Sequence, residues 1–129
     1  NKKSMEINLK EEFNIIEEGT KYGLPVYDVV EGQGIVKVED TGTENDPFQN
    51  QIISFVRGSK LGDENVEKKR GTLHEHLLSM MIHDLKFKSS IVPSRESSIV
   101  ITKLQEALMW LRQRQIDRVK REVEGTYKK

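Results

Sequence analysis

Cysteine is absent from this 129-residue sequence. That excludes disulfide scaffolds and cysteine-ligated zinc sites. Net charge is absent as well, since 21 basic residues balance 21 acidic ones. A protein that coats nucleic acid neutralises many phosphates at once and is basic overall. The balance therefore argues against a general DNA or RNA binder and leaves room only for a local basic pocket. No apolar run approaches the ~20 residues of a membrane span. No apolar segment opens the sequence, and Asn1 in first place points to a trimmed start. The expectation is a soluble, cytoplasmic protein with no membrane partner. Catalytic signatures are missing too: there is no Ser–His–Asp order, nucleophile elbow, phosphate loop or dinucleotide fingerprint. His74, His76 and His83 lack H-E-x-x-H spacing, and the first two face different sides of a helix, so neither a metal nor a cofactor is expected. Nothing positive in these residues supports catalysis, and the expectation is a ligand-binding protein, not an enzyme.

What is present divides the chain by character. Charged residues make up 33%, above the usual ~25%, which leans toward an elongated or oligomeric shape. Ile7, Leu9, Phe13, Ile15 and Ile16, within Met5 to Glu18, fit neither period, so strand and helix both stay open there. From Pro25 the residues favour strand: Val26, Tyr27, Val29 and Val30, a turn at Gly32 and Gly34, then Ile35 to Val38. Thr41 to Pro47 reads as a loop. Ile52, Ile53, Phe55 and Val56 form another strand closed by Gly58, and Ser59 to Arg70 reads as a mobile connector. Thr72 and Glu75 fit a capping box that opens a helix ending near Phe87. Leu73, Leu77, Met80, Met81 and Ile82 give that helix its spacing. Pro93 breaks the chain, Ser94 caps a second helix, and Gly125 ends it near Val123. The fold class expected is α+β: a small antiparallel N-terminal sheet, then a C-terminal antiparallel helical hairpin. One domain spans 1–129, β-rich over about 20–58 and helical over about 71–125.

The second helix carries the chemistry. Val100, Leu104, Ala107 and Leu111 share a face that should pack inward. Arg114, Arg118 and Arg121 extend it, all seven within an arc of about 100°. A guanidinium is always charged and offers a planar fork of donors, so arginines that continue a core face call for an anion, and phosphate fits the fork. The same spacing also suits a solvated helix tail, where basic residues complement the helix dipole and Glu106, Asp117, Glu122 and Glu124 stand ready as partners. Phe87 suits either a nucleobase, by stacking and cation–π contact, or an ordinary core. Arg95, in the first helical turn, is unfavourable there without an anionic partner, whereas Glu96 suits the dipole.

Lys103 to Leu111, followed by Arg112, Arg114, Asp117, Arg118, Arg121 and Val123-Glu124-Gly125-Thr126, forms a pattern L-x-E-A-x-x-W-L-x-x-R with V-E-G-T. Ser94-Arg95-Glu96, Leu77-Leu78, Ile82 and Asp84-Leu85 precede it. Over about the last 60 residues this resembles the hairpin domain of phage anti-defence proteins, the Thoeris anti-defence sponge family and its relatives acting on cyclic-oligonucleotide immunity. Ile53-Ser54-Phe55 with Gly58 is similar to the end of that family's sheet. The resemblance implies a sponge that holds cyclic ADP-ribose isomers such as glycocyclic ADP-ribose between subunits, without cleaving them, in the host bacterial cytoplasm. Some relatives hold cyclic di- or trinucleotides at a separate site. By position it implies Phe87 on the base and Arg114 and Arg118 on the pyrophosphate, with Arg95 and Arg121 as second choices. Ser97 stands where many relatives carry Asn and reaches less far, and Thr126-Tyr127 replaces a more common Thr-His. The assembly implied is a homo-oligomer, at least a dimer, with a hexamer as the larger option. The alternatives are an oligomerisation scaffold, or a nucleic-acid-binding regulatory module, against which the net charge of zero stands.

Overall fold

The computed structural model describes residues 12–38, 50–58 and 67–127 (of Asn50 and residues 123–127, the backbone alone). Met5, Ile7 and Leu9, and the loop expected over 41–47, lie outside the described residues. The backbone forms two compact units, Asn1–Thr72 and Leu73–Lys129.

The first unit is built on three antiparallel strands, β1 (Asn14–Glu17), β2 (Lys21–Pro25) and β5 (Asn50–Ser54), with β2 in the middle. Of the segment left open between strand and helix, Asn14–Glu17 is a strand, while Glu12 before it is helical and Glu18 after it lies in a turn. β2 lies upstream of the Pro25 start expected from composition. Its central residue Gly23 is buried, with no side chain to contribute to a hydrophobic pattern, and Pro25 falls at its last position, past the end of the β1 ladder at Gly23. Tyr22 anchors the unit: its ring meets Phe13 and Phe55 edge-on at centroid distances of 6.0 and 5.9 Å, a favoured arrangement. Thr20, 2% exposed, donates its hydroxyl to the Phe55 carbonyl at 3.0 Å, which meets the need of a buried polar group for a partner.

β3 (Tyr27–Val30) and β4 (Gly34–Lys37) make a separate two-stranded ribbon, closed by a turn in which Gly32 and Gly34 take φ of +82° and +81°. That is the turn expected at these glycines, and left-handed backbone explains why glycine sits there. Part of the expected connector is tied down: the backbones of Arg57 and Lys69 exchange hydrogen bonds of 3.0 and 2.9 Å. Lys69 also bonds Glu67 at 3.1 Å and lies 3.8 Å from Glu17. The Glu67 hydrogen bond, with the charges of Glu17 and Glu67, raises its pKa.

Thr72 caps no helix. Its N–H donates to Ser54 O at 2.8 Å and its carbonyl accepts from Val56 N at 2.9 Å, so it belongs to the sheet unit. Gly71 beside it has no room for a side chain, because a Cβ would collide with the backbone of Phe55 and Ser54.

The second unit is a helical hairpin. α1 (His74–Ile91) starts from Leu73 with no side-chain cap, and α2 (Arg95–Tyr127) runs on through Gly125. Both helices outlast the stops expected at Phe87 and Val123. The Ser94 cap is present: its Oγ accepts the Ser97 N–H at 3.1 Å. α1 turns Glu75, Leu78, Ile82, Leu85 and Ser89 inward, and α2 turns Ser97, Ile101, Leu104, Leu108 and Leu111, each series at spacings of three and four. The short turn between antiparallel helices sets Ile82 level with Leu104 and Leu78 level with Leu108. Among the described residues only Ile82 (8% exposed) and Leu108 (7%) are buried apolar side chains. α2 has 33 residues against 18 in α1. Its last 15 therefore extend past the start of α1, by about 22 Å at 1.5 Å per residue. No helix of the described residues is long and apolar enough to cross a membrane.

Candidate functional site

The buried series on α2 corrects the face assigned from the sequence. Val100 is 44% exposed and Ala107 is exposed, while Ile101 and Leu108 turn inward. Seen down the axis, Arg114, Arg118 and Arg121 lie about 60–120° from the centre of the buried face. The arginines border the core stripe rather than continue it, and all three are exposed. The cause is the length of α2: beyond about residue 112 no α1 lies opposite, so burial stops where the arginines begin.

Exposure leaves their charges available in different degrees. Arg118 Nε lies 3.8 Å from Glu122 Oε1, one helical turn on. Asp117, one helical turn from both Arg114 and Arg121, instead accepts the Gln113 side-chain amide at 3.0 Å. Among the described residues no carboxylate pairs with Arg114 or Arg121. These two side chains point within about 20° of each other, two turns apart. They line an open trough of about 560 Å³ together with Trp110, Gln113, Asp117 and Lys120. Three cations there face a single acid. Among the described residues only α2 contributes to it, so the trough has one wall.

Phe87, Arg95 and Ser97 stand elsewhere. Phe87 is 61% exposed near the end of α1 and does not join the core. Arg95 lines a shallow depression with Ser98, Ile99, Thr102 and Lys103 on the outward side of the first turns of α2. Ser97 is half-buried on the inward side, where its hydroxyl accepts from Ser94 at 2.8 Å. Arg95 and Ser97 therefore point about 160° apart. Antiparallel packing sets Phe87 level with about Ile99, so Phe87 and Arg114 lie some 15 helical residues, or about 22 Å, apart along the hairpin. One chain brings Arg114 and Arg121 together, with Arg118 alongside, and holds Phe87, Arg95 and Ser97 at the opposite end. Among the described residues no cluster of His, Asp and Glu is arranged to hold a metal ion.

Trp110 enters the sequence reasoning only as the W of the resemblance pattern, and Gln113 and Lys120 do not enter it. A helical wheel centred on Asp117, instead of on the apolar stripe, groups all three with Arg114 and Arg121 within about 60°.

Two comparisons bear on this hairpin. Residues 62–115 match the family model described as "Acb2/Tad1, hairpin domain". A stretch of 71 residues, 54% of the chain, is 42% identical to "Thoeris anti-defense 1" of Bacillus phage SBSphiJ7 and covers 50% of that protein. The chain thus spans about half the length of the relative it matches.

Proposed function

From the match of residues 62–115 to the Acb2/Tad1 hairpin domain, we propose that this protein is a phage anti-defence sponge. It binds cyclic ADP-ribose-type immune signals, glycocyclic ADP-ribose among them, and withholds them uncleaved in the host bacterial cytoplasm. The observation that carries this reading is the pair of exposed arginines, Arg114 and Arg121, with no acidic partner among the described residues, aimed into one trough beside an indole. Guanidinium forks bind phosphate oxygens in bidentate fashion, each such bond contributing on the order of 1.5–3 kcal/mol. A pyrophosphate gives both forks an acceptor.

A one-walled trough does not enclose a ligand, and enclosed sites bury most of a ligand's surface. The other walls come from a second copy of the chain. This also accounts for the separation of the site residues: Phe87, Arg95 and Ser97 of one protomer meet Arg114, Arg118 and Arg121 of its partner. Many apolar side chains of the hairpin stand exposed in the single chain, among them Met80 (58%), Ile91 (65%), Ile116 (59%) and Val119 (56%). They supply the contact area for a homo-oligomer, a dimer at least and a hexamer as the larger option.

The test is thermal melting with and without cyclic ADP-ribose isomers, with cyclic di- and trinucleotides as the second class, followed by chromatography of the heated mixture. Ligand at about 100 times its Kd stabilises by about 2.7 kcal/mol. A clear upward shift with intact nucleotide recovered is the expected result. Nucleotide recovered as a cleavage product would make the protein an enzyme. No shift with any nucleotide would leave the exposed apolar faces as the site of function and the hairpin as an oligomerisation scaffold.

A further inference from the structure

We propose that Trp110 is a second aromatic platform of this site, its indole face stacking on the nucleobase while Arg114 and Arg121 hold the phosphates. The inference rests on the nucleotide reading above and names the residue that distinguishes a base-bearing ligand from a bare phosphate.

Trp110 is the only tryptophan in the chain, and it is 61% exposed. An indole is a large apolar body with one polar N–H, and left in water it forgoes more burial than any other side chain. Its position is specific. Trp110, Arg114 and Arg121 fall within about 40° of one another around α2, so they form one line along the helix. Trp110 precedes Arg114 by one turn, about 6 Å, and Arg121 follows about 10 Å further on. An indole at one end of a line of cations is the arrangement that receives a molecule with a flat base at one end and phosphates at the other.

The groups around the line agree with an anion. Lys120 adds a third cation to the trough, and the one acid, Asp117, is engaged by the Gln113 amide at 3.0 Å. Phe87 of the same chain lies too far along the hairpin to reach these arginines, so the Phe87 of this site comes from the second copy. Trp110 is therefore the aromatic residue that the phosphate-binding helix itself provides. Stacking tolerates any base, since every base has a flat face. The indole selects for the presence of a base, and the remaining walls of the site select which one.

The lone tryptophan makes its own reporter. The protein is titrated with cyclic ADP-ribose and ADP-ribose, and with ribose 5-phosphate and inorganic pyrophosphate as base-free probes, while indole emission is followed. Quenching by the adenine-bearing compounds and none by the base-free ones is expected. Trp110→Leu should weaken nucleotide binding about tenfold or more, whereas Trp110→Phe should stay within about threefold of the parent, the melting temperature without ligand unchanged in both. A melting shift with nucleotide in the parent, together with unchanged emission and parental affinity in Trp110→Leu, would overturn the role of Trp110 and leave the sponge reading standing. Blue-shifted emission before any ligand is added, unresponsive to nucleotide, would also overturn it, because it would place the indole under a second copy of the chain. No melting shift in the parent would bring down the sponge reading, and this inference with it.

Discussion

The two ends of the hairpin are built on different physics. Near its turn α1 and α2 lie side by side, Ser94 caps α2, and Ile82 and Leu108 are buried further along the paired stretch. At the far end α2 runs on with no α1 beside it and carries Arg114, Arg118, Lys120 and Arg121 on exposed surface, with Trp110 on the last paired turn before them. The paired stretch holds the buried apolar side chains, and the overhang holds the arginines that face no second helix. The buried side chains and the unpaired arginines therefore separate along one helix, and substitutions in the two regions should fail differently.

The largest effect belongs to the paired stretch. Leu108→Ala removes one of the two buried apolar side chains among the described residues and should cost about 2–5 kcal/mol of stability, read as a lowered denaturant midpoint. Arg114→Ala at the overhang is the contrast. It should leave the melting temperature without ligand in place and weaken nucleotide binding by about 1.5–3 kcal/mol, or about 10- to 150-fold, by isothermal titration. A large drop in unliganded stability on losing Arg114 would break the division between the two regions. Ser94→Ala removes the cap on Ser97 N–H and should cost about 1 kcal/mol in a thermal melt. The smallest effect is Arg118→Ala. Its contact with Glu122 is 3.8 Å long and exposed on both sides, so stability should move by less than about 0.5 kcal/mol. Its loss of nucleotide affinity should be smaller than that of Arg114→Ala, because part of its charge is already engaged.

The fold class was legible in the sequence because strand-favouring runs, turn glycines and helical spacing are local signals. What escaped was not local. Thr72 and Glu75 match a capping box in letters, yet the backbone of Thr72 is taken by Ser54 and Val56 in the sheet unit. β2 was hidden by Gly23, which is buried without a side chain. The inward face of α2 was misplaced by a fraction of a turn: Val100, Ile101, Ala107 and Leu108 are all apolar, and only the position of α1 decides between them. The arginines were found through that misplaced face, and they remain adjacent because their own spacing along α2 does not depend on it. Their distance from Phe87 follows from the hairpin turn, which a single-helix wheel does not contain.

The central claim is that the site is completed between chains, and mixing two disabled variants tests it most directly. Phe87→Ala and Arg114→Ala, each weakened in nucleotide binding alone, are unfolded and refolded together in equal amounts and titrated with a cyclic ADP-ribose isomer. In a two-fold assembly each mixed pair holds one site with both wild-type residues, so about a quarter of all sites should regain parental affinity. A mixture that binds no better than its two parents would place Phe87 and Arg114 in independent roles and contradict the account.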